Sequence, residues 1–364
     1  MLRVLHIVGG MDRAGAETMI MNLFRHINRQ EVQFDFIYFK DKKCDYDEEI
    51  VALGGNIYRI LASNPVLRMN KLTSFLKLHR EYNIVHSHTL LNTAFNLIAA
   101  KRAGVKHRIA HSHNTSNGSA GIIGKSYEKL AIKAINSLAT SFFSCGKEAS
   151  QFLFPYNRDV IVLPNAVDVK KLREIKEDCQ NYIEEYFDER SALKVLQVGR
   201  LETAKNHQFT IELAEYMKSK QLDVKFFLAG QGPLCHEIEQ QIKSKHLEKM
   251  VFLLGVRDDV LQLMAGADIM IMPSLFEGFP VVLAEAQAIG LSCVISNSIA
   301  SEVDLDLGLI QFLSLKDHKE KWTEKIMKGT DKNINSDEIV NKLIAKGFDA
   351  AANAQWLTEF YKKL

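Results

Sequence analysis

Short apolar segments alternate with longer amphipathic segments along almost the whole chain. In the first half we predict strands near residues 3–8, 34–39, 56–60, 84–87, 107–111, 140–144 and 160–163. In the second half we predict strands near residues 194–198, 224–229, 251–254, 269–272, 292–295 and 309–312. Helical stretches such as 18–27, 71–82 and 93–103 separate them. Because strands that alternate with helices form parallel sheets covered on both faces, the pattern predicts an α/β fold.

The length of the chain predicts two such sheets. At 364 residues it can form two domains, each with its own core. A polar, charge-dense stretch over residues 170–190 lies between the halves, and we expect it to connect the domains. We also predict a helix over residues 350–364, with Trp356, Phe360 and Leu364 as its apolar face. The residues alone leave open which domain this helix packs on.

Composition and cysteine usage exclude several classes of protein. The formal net charge is +2, so no overall field marks a nucleic-acid-binding protein. The five cysteines are scattered and include no Cys-x-x-Cys, which argues against a disulfide framework or a structural zinc site and favours a reducing compartment. The apolar run at the N-terminus is too short for a signal peptide, and no run approaches the roughly 18 apolar residues that span a bilayer. We therefore expect a cytoplasmic protein.

Two glutamates, Glu277 and Glu285, lie eight positions apart around a predicted helix start. The predicted strand 269–272 runs into a loop, and Pro280 suits the first helical position, where a missing N–H costs nothing. Free backbone N–H groups at a helix start favour a bound anion, and Glu285 leans back toward it. Since carboxylates accept hydrogen bonds from vicinal hydroxyls, the pattern favours a sugar or ribose beside a phosphate. The alternative is that both glutamates are solvated and merely complement the helix dipole.

A pair of cations lies on another strand–helix connection. Arg200 follows a predicted strand and Gly199, and Lys205 precedes a predicted helix start. Such cations would neutralise a diphosphate from one side while backbone N–H groups hold the other. The alternative is that both are ordinary surface cations.

Several segments, taken in order, resemble the retaining glycosyltransferases of family 4 (glycosyltransferase group 1), of the polysaccharide-biosynthesis type. Glu277 and Glu285 look like the family's Glu-x7-Glu motif, and Gly199-Arg200-Leu201 with Lys205-Asn206 looks like its diphosphate-binding element. Ala166 stands where the family usually has glycine. The resemblance covers nearly the whole chain and is carried by residues 163–168, 199–207, 229–233, 254–260 and 273–286.

The resemblance implies a GT-B fold. In this fold two Rossmann-like α/β/α domains face each other across a cleft, and a C-terminal helix crosses back to the first domain. We place the N-terminal, acceptor-side domain at residues 1–168 together with the crossing helix 350–364. The C-terminal domain, expected to bind the nucleotide sugar, covers residues 169–349.

The resemblance also implies an activity. It points to a retaining, metal-independent hexosyltransferase that moves a hexose or N-acetylhexosamine from a nucleotide sugar, most often a UDP-sugar. The acceptor would be a glycan or a polyprenyl-diphosphate-linked sugar in bacterial capsule or exopolysaccharide biosynthesis. No cofactor is expected besides the donor. Two alternatives stay open: a sugar-nucleotide epimerase on the same scaffold, and a non-catalytic partner that has kept the nucleotide pocket.

The family's motifs assign roles to individual positions. Catalytic roles fall on Glu277, His111, Arg200 and Lys205. Substrate-binding roles fall on Glu285, Gly278, Phe279, Pro280, Val281, Gly15, Ala16, Gly230, Val256 and His113. The family's first loop usually carries paired glycines where this chain has Gly15-Ala16, so a methyl group narrows the space there.

Histidines follow two predicted strands of the first half. His86 and His88 follow one strand, and His111 and His113 follow another. Histidine is a common metal ligand, but no neighbouring carboxylate or cysteine completes a set, so we predict no metal site. The resemblance points instead to His111, with His113 as second choice, as the histidine that contacts the donor sugar.

Two Asp-x-Asp pairs have the spacing that metal-dependent sugar transferases use. They lie at residues 45–47 and 304–306, and neither follows a clear buried strand. We therefore expect both to be solvated loops. With cations and a helix N-terminus available for the diphosphate, Mg²⁺ is not required.

A basic stripe suggests contact with a membrane surface. Lys125, Lys129 and Lys133 share one face of a predicted helix, just after an expected flexible loop over residues 118–124 with an apolar tip. A basic stripe beside an apolar tip suits an anionic membrane, so we expect peripheral contact at the inner face of the plasma membrane. The alternative is an ordinary solvated face.

Overall fold

The computed structural model describes residues 1–114, 121–157, 159–187, 192–277, 279–329 and 334–364, without the side chains of residues 122, 123 and 186. Contacts between residues divide the chain into two compact units. The first unit joins Met1–Ala166 to Gly347–Leu364, and the second is Val167–Lys346.

The first unit is built around a parallel sheet. Its strands are β1 (Leu2–Ile7), β2 (Val32–Tyr38), β3 (Ile57–Arg59), β4 (Ile84–Ser87), β5 (His107–Ser112), β6 (Ser141–Ser144) and β7 (Val160–Val162). They lie in the order β3-β2-β1-β4-β5-β6-β7. The strand order therefore reverses between β1 and β4, and in doubly wound sheets this switch point is where ligands bind.

The second unit repeats this arrangement. Its strands are β8 (Leu193–Val198), β9 (Val224–Ala229), β10 (Val251–Gly255), β11 (Ile269–Met272), β12 (Ser292–Ser296) and β13 (Ile310–Leu313). They lie in the order β10-β9-β8-β11-β12-β13, so the switch point falls between β8 and β11. All residues of β11 are buried, which explains why this strand is a continuous apolar run.

Helices connect the strands in both units. In the first half of the chain they are α1 (Gly15–His26), α2 (Asp47–Ala52), α3 (Pro65–Leu78), α4 (Thr93–Ala103), α5 (Gly121–Leu138) and α6 (Lys147–Leu153). In the rest of the chain they are α7 (Val169–Asp178), α8 (Tyr182–Phe187), α9 (His207–Ser219), α10 (Cys235–Ser244), α11 (Val260–Gly266), α12 (Val281–Ile289), α13 (Lys319–Lys328), α14 (Ser336–Ala345) and α15 (Ala350–Lys363). Short 3-10 turns lie at Leu90–Asn92, Thr203–Lys205 and Ser301–Val303. Within the described residues, no helix has the length and apolar character needed to cross a bilayer.

Helix α3 begins earlier than the predicted start at residue 71. The Asn64 side chain accepts a hydrogen bond from the Leu67 amide at 2.8 Å, and Pro65 occupies the first turn. An asparagine N-cap followed by proline is a strong start signal, and it fixes the beginning of the helix more firmly than hydrophobic periodicity does.

Helix α15 belongs to the first unit and packs against α1, which confirms the predicted crossing helix. Its predicted apolar face is partly wrong. Leu357 and Tyr361 are the large apolar side chains of α15 that are buried, whereas Trp356 is 44% exposed and Phe360 and Leu364 are partly buried. The buried stripe also includes alanines, whose small side chains allow α15 to lie close to its neighbours. The positions of the largest apolar residues therefore did not identify the buried face of the helix.

Candidate functional site

The loops after β8 and β11 leave the same edge of the second unit's sheet, at its switch point. They are bonded to each other: the Leu275 amide donates to the Ala204 oxygen at 2.8 Å, and Asn206 Nδ2 donates to the Pro273 oxygen at 2.9 Å. The fold thereby brings the segment with the predicted cations against the segment with the first predicted glutamate.

Glycine at position 199 makes room for the side chain of Lys205. A Cβ built on Gly199 would lie 3.0 Å from Cε and 3.1 Å from Cδ of Lys205. Gly230, with φ at +147°, approaches from the next strand, and its Cβ would lie 2.0 Å from the Gly199 oxygen. Close approach to backbone therefore requires glycine at position 230, whereas at position 199 the φ of +156° favours glycine and the missing side chain leaves room for the Lys205 stem.

Lys205 and Glu277 form an ion pair at this edge. Lys205 Nζ lies 2.5 Å from Glu277 Oε1, and the two side chains are 16% and 17% exposed. Ser274 Oγ donates to the same carboxylate oxygen at 3.3 Å. Because the pair is largely shielded from water, its attraction is stronger than that of an exposed surface pair. The structure therefore joins the predicted phosphate cation to the predicted sugar-binding acid.

Helix α12 starts directly beyond this pair. Pro280 is its N-cap, with φ −72° and ψ 116°, and Val281 is the first helical residue. Phe279 is half-buried, and Gly278 lies outside the described residues. The first N–H groups of such a helix have no partners within it and suit an anion. Glu285, farther along α12, is half-buried, and burial raises its pKa to about 7.

Arg200 is placed less favourably than Lys205. Its side chain is 72% exposed, and Nη1 lies 3.6 Å from Glu202 Oε2. The diphosphate role of Arg200 therefore stays a prediction. Val256, just beyond β10, is 70% exposed and thus accessible to a ligand.

A layer of histidines covers one face of the first unit's sheet near the carboxyl ends of β1, β4 and β5. Its members are His6, His86, His88, His111 and His113. Neighbouring rings stack with centroids 4.1 to 5.3 Å apart. Burial lowers the pKa of all five, to about 3 for His6 and about 4 for His113. The imidazoles are therefore neutral at physiological pH.

The structure separates the two histidines proposed for the donor sugar. His111 is only 1% exposed, whereas His113 is partly accessible at the end of its strand. His113 is thus the better placed of the two, although contact with the donor stays a prediction for both. His6 was missed from the sequence. It alternates with the apolar Leu5 and Ile7 in β1, so periodicity places it on the opposite face of its own strand, but only the pairing of β1 with β4 brings it beside the other histidines.

The histidine layer is also where ring nitrogens come close enough to consider a metal. Two sets of three, His6 with His86 and His88, and His88 with His111 and His113, have nitrogens within 4.8 Å of one another. Among the described residues no carboxylate or cysteine joins either set. The nitrogens of His6 and His88 lie within hydrogen-bonding distance at 3.0 Å, so a shared proton accounts for this contact without an ion.

The loop after β1 offers open space in the first unit. Gly15 is exposed and begins α1, and a Cβ there would meet only Asn165 Nδ2, at 3.9 Å. Ala16 is half-buried. Close by, Lys40 Nζ pairs with Asp12 Oδ2 at 2.5 Å. Direct contact of Gly15 and Ala16 with substrate stays a prediction.

From the sequence we expected both Asp-x-Asp pairs to lie in solvated loops, and the structure differs from this expectation for one of them. Asp47 is buried at the start of α2 and accepts from Arg59 Nη2 at 2.7 Å. The prediction is therefore wrong for Asp47, because a helix start and a guanidinium compensate its burial. Asp45 and Asp306 are exposed as expected, and Asp306 pairs with Lys346.

Helix α5 begins at Gly121, so the predicted loop over residues 118–124 is wrong from residue 121 onwards. Residues 118–120 and the side chains of residues 122 and 123, which include the expected apolar tip, lie outside the described part of the chain. All three lysines of the predicted stripe, Lys125, Lys129 and Lys133, are exposed on α5, and Leu130 beside them is 69% exposed.

Comparisons with known proteins agree with this arrangement. The family model described as glycosyltransferase family 4 matches residues 13–171, and the model described as glycosyl transferases group 1 matches residues 181–328. The chain also resembles the solved structure of HepE from Anabaena in complex with UDP, with a TM-score of 0.81 at 16% identity over the full length of both chains. That likeness establishes the GT-B fold.

Sequence relatives are glycosyltransferases as well. The putative glycosyltransferase EpsF of Bacillus subtilis (strain 168) is 37% identical over 99% of this chain and 96% of its own length. An Escherichia coli relative, named UDP-Gal:alpha-D-GlcNAc-diphosphoundecaprenol alpha-1,3-galactosyltransferase, is 27% identical over 80% of this chain and 79% of its own. The chain therefore belongs to glycosyltransferase family 4, the group 1 glycosyltransferases, and has their GT-B fold.

Proposed function

We propose that this protein is a retaining, metal-independent hexosyltransferase that takes a hexose or N-acetylhexosamine from a UDP-sugar. The observation that carries the proposal is the Lys205–Glu277 pair at the start of α12, with Glu285 in the same helix. A donor diphosphate would take the Lys205 charge and the free N–H groups of α12. Glu277 would then accept from sugar hydroxyls and Glu285 from the ribose diol. In this arrangement the negative diphosphate meets positive groups, and each of the two carboxylates meets hydroxyl groups that donate hydrogen bonds.

The proposed reaction is same-face substitution at the anomeric carbon. The bond from that carbon to the diphosphate oxygen breaks, and a bond to the acceptor oxygen forms on the same face, so configuration is retained. The departing diphosphate takes the acceptor's proton. Lys205 and the α12 N–H groups stabilise the charge that develops on the leaving group. The scheme needs neither two carboxylates flanking the reacting carbon, as in glycosidases, nor a metal ion.

Two neighbours favour uridine as the base of the donor. The Escherichia coli relative is named for the use of UDP-Gal, and HepE has been solved with UDP and with UDP-glucose. The exposed Val256 and the turn at Gly230 follow adjacent strands of the second unit. They supply an apolar surface and a tight turn for a base.

The acceptor is proposed to be a sugar on a polyprenyl diphosphate or a related surface glycan. The same Escherichia coli relative is named for a diphosphoundecaprenol acceptor. In this chain, Lys125, Lys129 and Lys133 with Leu130 present a basic surface with an apolar side chain on α5. Such a surface suits the inner face of an anionic membrane, where a lipid-linked acceptor resides. The first unit would receive the acceptor and the second unit the nucleotide.

A screen of sugar nucleotides tests the donor, because a ligand that binds the folded state raises the unfolding temperature by mass action. UDP-sugars should stabilise the protein, whereas GDP- and ADP-sugars should not. UDP release from the stabilising donor should then require an undecaprenyl-diphosphate-linked sugar, with retention in the product. Conversion of the donor to a second sugar nucleotide without acceptor would instead establish the epimerase alternative, which the relatives named above do not favour. Absence of stabilisation by every sugar nucleotide would overturn the proposal.

A further inference from the structure

Three of the five histidines in the histidine layer form a hydrogen-bonded chain that runs across the ends of three strands, β1, β4 and β5. His6 Nδ1 lies 3.0 Å from His88 Nε2, and His88 Nδ1 lies 2.9 Å from His113 Nε2. We call these three residues the histidine chain. His88 is its centre, because both of its ring nitrogens are engaged.

The number of protons restricts how this chain can be arranged. Each neutral imidazole carries one N–H, so three rings bring three protons. Each of the two links uses one proton. The third must lie on a terminal nitrogen, either His6 Nε2 or His113 Nδ1. Both of these nitrogens are buried, and neither has a hydrogen-bond partner among the described residues.

The surroundings of the two ends decide between them. His6 is 1% exposed, and its ring lies 4.2 Å from the ring of Phe34 and 5.7 Å from that of Phe36. An N–H without an acceptor is costly there, and orphaned buried donors are rarer than under-satisfied acceptors. The His113 Nδ1 atom is itself covered, but the His113 side chain is partly accessible at the end of its strand, so this is the end of the chain that a ligand oxygen can approach. The third proton therefore belongs on His113 Nδ1.

A second hydrogen-bonded set holds the chain in place. Tyr361 of α15 lies with its hydroxyl 2.7 Å from His86 Nδ1, and His86 Nε2 lies 3.2 Å from His111 Nδ1. The His86 ring stacks on His88 with centroids 4.4 Å apart, and the His111 ring stacks on His113 at 4.1 Å. Rotation of either His88 or His113 would therefore disturb a packed, bonded neighbour.

We propose that His6 and His88 are positioning residues that fix His113 as its Nδ1–H tautomer, so that His113 donates a hydrogen bond to an oxygen of the sugar substrate. The direction of the chain is His6 Nδ1–H to His88 Nε2 and His88 Nδ1–H to His113 Nε2. No proton is transferred and no charge develops on the rings. The proposal rests on the proposed sugar transfer for the nature of the ligand, but the tautomer itself is a property of the protein alone.

A purely apolar role for these rings does not explain the contacts. Aromatic or aliphatic side chains would fill the same space without the cost of burying imidazole nitrogens. Pairing of successive nitrogens at 2.9 and 3.0 Å offsets this cost only if the donors and acceptors alternate along the chain. That requirement is what determines the tautomer of the last ring.

The tautomers can be measured directly in the wild-type protein. Two-bond ¹H–¹⁵N correlation spectra of ¹⁵N-histidine-labelled protein distinguish Nδ1–H from Nε2–H imidazole, and a His113→Gln variant assigns the signal. We expect His113 as Nδ1–H at neutral pH. An Nε2–H or mixed state would overturn the proposal. So would stoichiometric Zn²⁺ uptake by the purified protein that is lost in His88→Leu, because the histidines would then form a metal site.

A pair of substitutions at His88 tests the consequence for turnover. His88→Leu breaks both links, whereas His88→Gln can accept from His6 with Oε1 and donate to His113 with Nε2. We expect UDP release from the stabilising UDP-sugar to fall about tenfold in kcat for His88→Leu, the effect of about one hydrogen bond, with little change in donor KM. His88→Gln should retain most of the activity, and so should the exposed control His236→Leu. Equal kcat for His88→Leu and His88→Gln, at matched unfolding temperature, would overturn the positioning role.

The tautomer spectrum and the turnover measurements distinguish failure of the positioning proposal from failure of the proposed function. If the wild-type protein releases no UDP from any sugar nucleotide in the presence of an undecaprenyl-diphosphate-linked sugar, the proposed function fails while the spectrum still decides the tautomer. If UDP release is normal but His113 is not Nδ1–H, the positioning proposal fails and the transferase proposal stands.

Discussion

Lys205 and Glu277 are joined by an ion pair of 2.5 Å although they lie on loops that follow different strands of the second sheet. The charge of each is matched by the other before any substrate arrives. A donor diphosphate that draws Lys205 toward itself would release Glu277 from the pair. We therefore expect donor binding to break the Lys205–Glu277 ion pair and to make Glu277 available to the sugar in the same step.

Replacement of Lys205 by alanine should weaken UDP binding by roughly tenfold or more, because a charge-assisted hydrogen bond to the diphosphate is lost. Isothermal titration calorimetry with UDP measures this. The matched control is Lys243→Ala, which removes an exposed lysine of α10. Equal UDP affinity in wild type and Lys205→Ala would remove this lysine from the phosphate site.

Glu277→Gln should lower turnover more than it lowers stability. Glutamine can still accept a hydrogen bond from Lys205, so folding is preserved, but it is a weaker acceptor for sugar hydroxyls than a carboxylate. Steady-state UDP release and the unfolding temperature, measured on the same preparation, test this expectation. A wild-type rate would end the proposed role of Glu277.

Glu285→Gln should stabilise the protein in a pH-dependent manner. The folded-state pKa of about 7 lies above the unfolded value of 4.5, so the folded state binds more protons between these pH values. Wild-type stability therefore falls as pH rises through this window, whereas the variant does not show this loss. Relative to wild type, the variant should gain on the order of 2 kcal/mol in the free energy of unfolding between pH 5 and pH 8.

Urea unfolding at the two pH values measures this gain, with the exposed Glu248→Gln as control. The same titration predicts that UDP affinity of the wild-type protein rises with pH near 7, because the ribose diol prefers the carboxylate. A gain that is the same at pH 5 and pH 8 would show that Glu285 does not titrate in this range.

Chelation should leave transfer intact. Lys205 and the start of α12 are proposed to supply the positive charge that Mg²⁺ provides in metal-dependent sugar transferases. UDP release should therefore be unchanged by EDTA and by added Mg²⁺. Loss of activity in EDTA that Mg²⁺ restores would contradict the metal-independent scheme.

Neutralising Lys125, Lys129 and Lys133 together should reduce binding to anionic vesicles. Each cation near such a surface contributes about 1 kcal/mol, so the triple glutamine variant should bind at least tenfold more weakly at low salt. Co-sedimentation with phosphatidylglycerol vesicles measures this. Glutamine at the exposed Lys243, Lys249 and Lys328 of the second unit provides a matched control. Equal binding by both triple variants would favour a solvated face.

Local signals in the sequence were sufficient for most strands and for the start of α12. The apolar run of β11 and the proline after its loop act within a few residues, so they are visible without the fold. The strand order was not predictable in the same manner, because it depends on which helices cover each face. The family resemblance rather than the residues supplied the association of α15 with the first unit.

The features that were not predicted depend on contacts between residues that lie far apart in the sequence. The pairing of Lys205 with Glu277 depends on β8 lying beside β11, and the inclusion of His6 in the histidine layer depends on β1 lying beside β4. The burial of Asp47 was missed because Arg59, its partner, lies on another element. The raised pKa of Glu285 likewise reflects surroundings that no spacing rule specifies.

The first unit is discontinuous along the chain, since Gly347–Leu364 completes it after the whole of the second unit has been passed. During synthesis on the ribosome, its core must therefore wait for residues 347–364, whereas the second unit has all of its residues beforehand. Premature termination after residue 346 would yield a nascent protein with all residues of the second unit and a first unit that lacks α15, the helix that packs against α1.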